Sequence, residues 1–219
     1  MIDNDLSTHF ETRLDHFFGQ YQAFSFKTDD ILIHSGETTP SVFYLKSGII
    51  KQSAVSTEGQ EIALTFYKPG AFFPLIWVIK EQPTPYDFRA VTNGHGWKAP
   101  GKEVLHFLQQ NAAVSYSLVV RLLSGLEGLT RKVEYALQAT AKLRIVEALL
   151  TLAYRFGKSH DQVIEIEITL THQQLAEITG LTRETVSREL KILRTQGLVE
   201  VKEETYSIPD VGLLEQLMI

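Results

Sequence analysis

The sequence predicts an α+β chain: short strands first, then one long helix, then a helical unit closed by a small β hairpin. Three observations predict it. Between Ala23 and Ala99, Gly36, Gly48, Gly59, Gly70 and Gly94 split β-branched and aromatic runs at roughly ten-residue intervals, which suits an all-β sandwich or jelly roll. Residues 112–138 repeat apolar side chains at alternating spacings of three and four. Residues 170–198, LTHQQLAEITGLTRETVSRELKILRTQGL, have the pattern of a helix-turn-helix around Gly180.

Taken in order, residues 7–18 predict a short helix behind Ser7 that buries Phe10, Leu14 and Phe17. His9 and His16 lie seven apart with no third donor nearby, so they read as surface histidines rather than ligands. The β text follows as AFSF, DILIHSGE, SVFYLKSGIIKQSAV, STEGQEIALTFYKPGAFF and DFRAVTNGHGW. Residues 103–110 predict a short helix. In the long helix, Val119, Leu122, Leu126, Leu129, Val133 and Ala136 form a seam of a and d positions, as in a two-stranded coiled coil. Leu118, Leu123 and Leu137 broaden the stripe, which also suits an intramolecular core helix. Gly125 and Gly128 interrupt it, each costing about 1 kcal/mol against Ala. A hinge at 138–140 ends in Thr140 as a cap. The next helix, residues 141–156, carries Leu143, Val146, Ala148, Leu149, Leu152 and Phe156 toward a core. Residues 157–162 read as an exposed polar loop, and LVEVKEETYSIPD as a two-stranded wing.

The helix-turn-helix carries the chemistry. Thr171 can cap its first helix, whose apolar stripe is Leu175 and Ile178. Gly180 falls where the turn needs a positive φ, a conformation only Gly reaches cheaply. Thr182 can cap the second helix with its side-chain oxygen. That helix buries Val186, Leu190 and Leu193 and offers Arg183, Glu184, Ser187 and Arg188 on its other face. Arg can donate two hydrogen bonds to guanine and Glu can accept one from cytosine. Side chains near the start of such a helix reach base edges. Thr171, Gln173, Thr182, Thr185 and Lys191 are the candidate phosphate contacts, which position without reading sequence.

Composition agrees with a local rather than a global affinity for DNA. The 219 residues carry a net charge of −5. Between Thr182 and Thr195, however, four basic residues face two acidic ones. So modest a field favours a dimer, which doubles the phosphate contacts. There is no cysteine, which excludes disulfides, thiolate zinc sites and cysteine-held iron–sulfur clusters. No apolar run of membrane length and no signal peptide is expected, so the cytoplasm is the expected compartment. The chain shows no paired catalytic carboxylates, nucleophile elbow, phosphate-cradling glycine loop or metal triad, so an enzyme is not expected.

Residues 183–188, Arg-Glu-Thr-Val-Ser-Arg, are similar to the base-reading segment of the CRP/FNR family of bacterial transcription regulators. The order VFYLKSGII at 42–50, TEGQEI at 57–62 and KPGAFF at 68–73 resembles the cyclic-nucleotide-binding barrel of the same family. The resemblance implies three parts: a jelly-roll sensor barrel over 1–110, a dimerisation helix over 111–138, and a winged helix-turn-helix over 139–219. It also implies a homodimer on double-stranded DNA. Arg183, Glu184 and Arg188 would contact a TGTGA-like half-site, while Ser187 resembles the serine of the FNR branch and a TTGAT-like arm. RNA polymerase is an implied partner, with Lys158 to Asp161 as the matching loop. The remaining alternative is a small-molecule-binding module without specific DNA binding.

The family's nucleotide signature is missing. Nucleotide-binding members carry Gly-Glu directly after the position of Phe72, then Arg-Ser about ten residues on. This chain reads Phe73-Pro74-Leu75 and Thr84-Pro85-Tyr86-Asp87. A phosphodiester needs a cation and N–H donors, and Asp87 would repel it. Arg89 is the nearby cation, at a strand position that could face either way. Cyclic AMP is therefore not expected as a cofactor. His34 or His95 could be proposed for haem, but each stands alone. The aromatic-rich segment offers Phe73, Trp77 and Tyr86, with Leu75 and Arg89, as a tentative pocket for a small effector. The same aromatics suit a plain core, and the pocket can also be packed shut. The resemblance adds Thr130 as a contact reaching from the long helix.

Overall fold

The computed structural model describes residues 2–56, 59, 61–138, 140–160, 163–202 and 204–218, with backbone alone for 2–9, 131, 132, 135–138 and 160. The chain divides into two compact units, Met1–Gly125 and Leu126–Ile219.

The first unit begins with helix α1 (Ile2–Phe18) and continues through strands β1 (Gln22–Phe26), β2 (Ile31–Ile33), β3 (Ser41–Ser47), β4 (Ile50–Val55), β5 (Glu61–Tyr67) and β6 (Phe72–Phe73). Helix α2 (Leu75–Lys80), strands β7 (Asp87–Ala90) and β8 (Gly94–Pro100), and helix α3 (Gly101–Gln110) follow. Helix α4 (Ala112–Gln138) then runs on past Gly125. Two four-stranded antiparallel sheets result, in the orders β1-β8-β3-β6 and β2-β7-β4-β5. This is the expected jelly roll.

Strand β3 is buried on both faces. Phe43 and Leu45 enter a core with Phe26, Ile33, Ile50, Phe73, Phe88 and Ala90, supplied by strands of both sheets. Val42 and Tyr44 face the other way, into a core built with Phe10, Leu14 and Phe18 of α1, Val78 of α2, Val104 of α3 and Val114 of α4. Helices cover the outer face of the first sheet because its central strand offers them apolar side chains. Tyr44 keeps its hydroxyl satisfied by donating to Asp15 at 2.8 Å, and Lys46 pairs with the same carboxylate at 2.7 Å.

On the outer face of the second sheet, Lys51 is only 5% exposed. Its ammonium lies 2.9 Å from Glu61. Burial pushes the Glu61 carboxyl up, but hydrogen bonds from Ser53 and Lys51, with the charges of Lys51 and Arg89, win and hold it below its usual value.

The second unit holds α5 (Ala141–Phe156), β9 (Gly157–His160), β10 (Val163–Ile166), α6 (His172–Thr179), α7 (Arg183–Thr195), β11 (Glu200–Lys202), β12 (Thr205–Ile208) and α8 (Val211–Gln216). Its strands form one antiparallel sheet in the order β11-β12-β10-β9. Thr140 caps α5 as expected, accepting from the Leu143 N–H.

Four expectations need correction. Helix α1 starts at Ile2, so Ser7 lies inside it; Phe18 is fully buried, whereas Phe17 is half-buried and stacks on Phe107. Residues 157–160 are a strand rather than a loop, because β10 gives their backbone a ladder partner from Val163 to Ile166; Asp161 and Gln162 lie outside the described residues. In α5 the buried face includes Ile145, while Leu143 is only half-buried. Finally, α4 does contain an apolar stretch of membrane length, Ala112–Thr130, with mean hydropathy 1.3. Its leucines and valines, with small residues between them, raise the average even though Arg121 and Glu127 interrupt it.

Candidate nucleic-acid interface

Helix α6 starts at a reciprocal capping box. Thr171 Oγ1 accepts from the Gln174 N–H at 3.1 Å, and Gln174 Oε1 accepts from the Thr171 N–H at 2.9 Å. The helix stops at Gly180, whose φ of +62° is the left-handed turn conformation. Arg144 of α5 reaches into this turn. Its guanidinium donates to the carbonyls of Thr179 and Gly180, groups that a helix end leaves without partners. A Cβ at Gly180 would lie 2.8 Å from Arg144 Nη2, so the glycine also makes room for the guanidinium. Neither Arg144 nor Gln174 stood out in the sequence. Gln174 had a readable signal, three residues after a capping Thr; Arg144 had none, being 36 residues from Gly180.

Thr182 opens α7, its Oγ1 accepting from the Thr185 N–H at 3.3 Å and bonding the Thr185 hydroxyl at 3.0 Å. Val186, Leu190 and Leu193 are buried beneath the helix. The opposite face leaves Arg183, Glu184, Ser187 and Arg188 exposed together at its N-terminal end. Arg188 Nε is 3.2 Å from Glu189, a pairing in which the arginine is exposed and the glutamate half-buried. Gln173 is exposed in the first turn of α6, while Thr171 and Thr185 are half-buried beside their capping bonds. Lys191 is exposed further along α7. With Arg194 and Lys202 it lines an open cleft of about 680 Å³ beside β11, in which Glu200 is the acidic group. The wing is anchored by Tyr206, whose hydroxyl burial and the nearby Glu204 push up to about 12.

The tentative effector residues are scattered. Phe73 lies in the core between the sheets, its ring stacked 5.7 Å from Phe43 and 5.3 Å from Phe88. Leu75 packs on the other side, against the helix-covered core. Trp77 and Tyr86 do meet, edge to face at 5.9 Å. Arg89 alternates with Phe88 and so turns away from the inter-sheet core; its Nη1 donates to the Asp29 carbonyl at 3.2 Å. Asp87, on the same face, accepts from the Ser35 N–H. Thr84 is fully buried, exchanging backbone hydrogen bonds with the turn at Gly36 and Glu37. Thr130 is exposed and bonds back to the Leu126 carbonyl of its own helix. His95 bonds the Ser47 hydroxyl through Nδ1 at 2.6 Å.

Along α4 the expected seam faces outward in the single chain. Val119, Leu122, Leu126, Leu129 and Val133 are between 49% and 59% exposed, far more than core residues of their kind. The side chain of Ala136 lies outside the described residues.

Two family matches coincide with the two units. The cyclic nucleotide-binding domain family matches residues 23–111, and the Crp-like helix-turn-helix domain family matches residues 143–217. The chain is 26% identical over 194 residues to the cAMP-activated global transcriptional regulator CRP of Haemophilus influenzae, covering 88% of this chain and 86% of the relative. It is 25% identical to the global nitrogen regulator of Synechocystis, with the same coverage. A CRP/FNR-family transcriptional regulator of Thermus thermophilus superposes with a TM-score of 0.71 at 25% identity, covering 90% of this chain and 97% of that one. With a matching barrel, a matching helix-turn-helix and relatives that span nearly its whole length, the chain belongs to the CRP/FNR family of bacterial DNA-binding transcription regulators.

Proposed function

We propose that the chain works in the bacterial cytoplasm as a homodimer that reads a DNA palindrome with TGTGA-like arms. A TTGAT-like arm is the secondary expectation, through Ser187. The observation that carries this is the exposed cluster of Arg183, Glu184, Ser187 and Arg188 at the start of α7, backed by a fully apolar buried face. Thr171, Gln173, Thr182, Thr185 and Lys191 would hold phosphates around it. The exposed seam of α4 supports the dimer. Two copies would set their α7 helices in successive major grooves, roughly 34 Å apart. Exposed Lys158 in β9 is the candidate contact for RNA polymerase.

The regulator answers to a small molecule other than cyclic AMP, or to none. Phe73 supports this, because its ring fills the inter-sheet core between Phe43 and Phe88. Arg89, the cation nearest the missing Arg-Ser pair, is turned toward Asp29 instead. An effector would act by differential affinity for two packings of the dimer.

Fluorescence anisotropy tests the whole reading. The purified protein is titrated with a TGTGA-N6-TCACA duplex and a scrambled duplex at two salt concentrations, with and without cyclic AMP. Tight specific binding without effector is the expected result for a constitutive regulator. Binding that is non-specific under all conditions calls for another effector or another half-site, and a random-sequence selection separates those. Strong rescue by cyclic AMP defeats the effector reading.

A further inference from the structure

Arg121 lies on the first half of α4, between the seam residues Val119 and Leu122, and points elsewhere. Its guanidinium is bound three ways. Nη2 lies 3.4 Å from Glu11 Oε1 of α1. Nη1 donates to the Gly70 carbonyl at 3.3 Å. The guanidinium carbon sits 4.2 Å from the centre of the Phe10 ring, in cation–π contact. Gly70 has a φ of +84° in the turn that leads into β6, and its N–H donates to Leu45 of β3. The same glycine lies under Glu11: a Cβ there would come within 3.0 Å of Oε1. Guanidinium, carboxylate and turn thus close on one another within the first unit.

We propose that Arg121 is a positioning residue that sets the rotation of α4 about its own axis. By gripping Glu11 and the Gly70 turn it presents Val119 and Leu122 outward, to the same residues of a second copy. A helix held only by apolar packing can roll, because its stripe is broad: Leu123 and Val120 are also exposed. Hydrogen bonds are directional, and three contacts on one planar group fix the roll. The barrel turn before β6 thereby chooses which stripe of α4 meets the partner. This rests on the dimer reading above.

The native chain has no cysteine, so single cysteines report the roll directly. Leu122→Cys and Val120→Cys proteins are oxidised with copper-phenanthroline and disulfide dimers are counted. Thiols beyond reach do not bridge, so in the parent background Leu122→Cys is expected to cross-link about tenfold faster than Val120→Cys. Adding Arg121→Ala is expected to shrink that preference to about twofold, and Arg121→Lys or Glu11→Gln to shrink it part of the way. Melting temperature is followed in parallel, and the milder variants decide if Arg121→Ala does not fold. An unchanged preference in well-folded variants overturns the proposal while leaving the dimer intact. No seam cross-link in the parent overturns the dimer reading, and the proposal with it.

Discussion

In the barrel, aromatic rings fill the space between two sheets, Phe73 against Phe43 and Phe88 with Tyr67 alongside. At the start of α7, Arg183, Glu184 and Arg188 are long, charged and exposed, with Ser187 exposed beside them. Both regions stand on family architecture, yet one is a packed apolar interior and the other a face of exposed charge. The difference teaches what each kind of position demands of its side chain. Core positions accept any apolar group of the right volume, so a barrel can close without losing its sheets. A reading helix has no such freedom, because base edges demand particular donors and acceptors.

The largest test strikes the barrel. Phe73→Ala is expected to cost about 3–5 kcal/mol, read by denaturant unfolding, since a buried Phe leaves both a lost transfer energy and a cavity. A cost under about 1 kcal/mol would mean the site has slack and can open for a ligand. On the α7 side, Arg183→Ala should lose about 1–3 kcal/mol of DNA affinity and relax preference at one guanine. Equal losses on specific and scrambled duplexes would remove its base-reading role. Lys191→Ala sharpens the contrast by weakening every duplex alike and flattening the salt dependence.

A smaller effect belongs to the cap of α7. Thr182→Ala is expected to lower stability by about 1 kcal/mol, and Thr182→Ser to retain most of it, in thermal unfolding. The smallest effect returns to the barrel, at Glu61. Its carboxyl is held below the usual value, so it stabilises the fold above the unfolded chain's glutamate pKa, about 4.3. That stabilisation is lost as the pH falls through the lower, folded value. Glu61→Gln should therefore melt below the parent at neutral pH, with the gap closing under acid. A gap that widens in acid would contradict the assignment.

What was legible in the sequence was local. Gly180, the two threonine caps, the buried stripe of α7 and the bounds of α4 all follow from spacing within a few residues. The misses depend on distant partners. Polar Gly157–His160 reads as a loop until β10 supplies its ladder. Arg144 has no motif, and only the folded turn shows which carbonyls it satisfies. Arg89 had two faces to choose from, and the choice came from Phe88 filling the core. The expected effector residues are mostly close in sequence, but Phe73 and Tyr86 pack with the inter-sheet core, Leu75 packs with the helix-covered core, and Arg89 turns away toward Asp29.

Strand β3 has apolar side chains on both faces, so burial alone does not separate one pairing register from its neighbour. A slip of one residue exchanges the faces of every side chain. Val42 and Phe43 would remain apolar groups in apolar surroundings, but Tyr44 would carry its hydroxyl away from Asp15 toward the Phe-lined interior. The 2.8 Å bond from Tyr44 to Asp15, backed by Lys46, thus acts as an alignment pin for the sheet. Burying that hydroxyl without the Asp15 bond costs free energy, which disfavours the misaligned barrel.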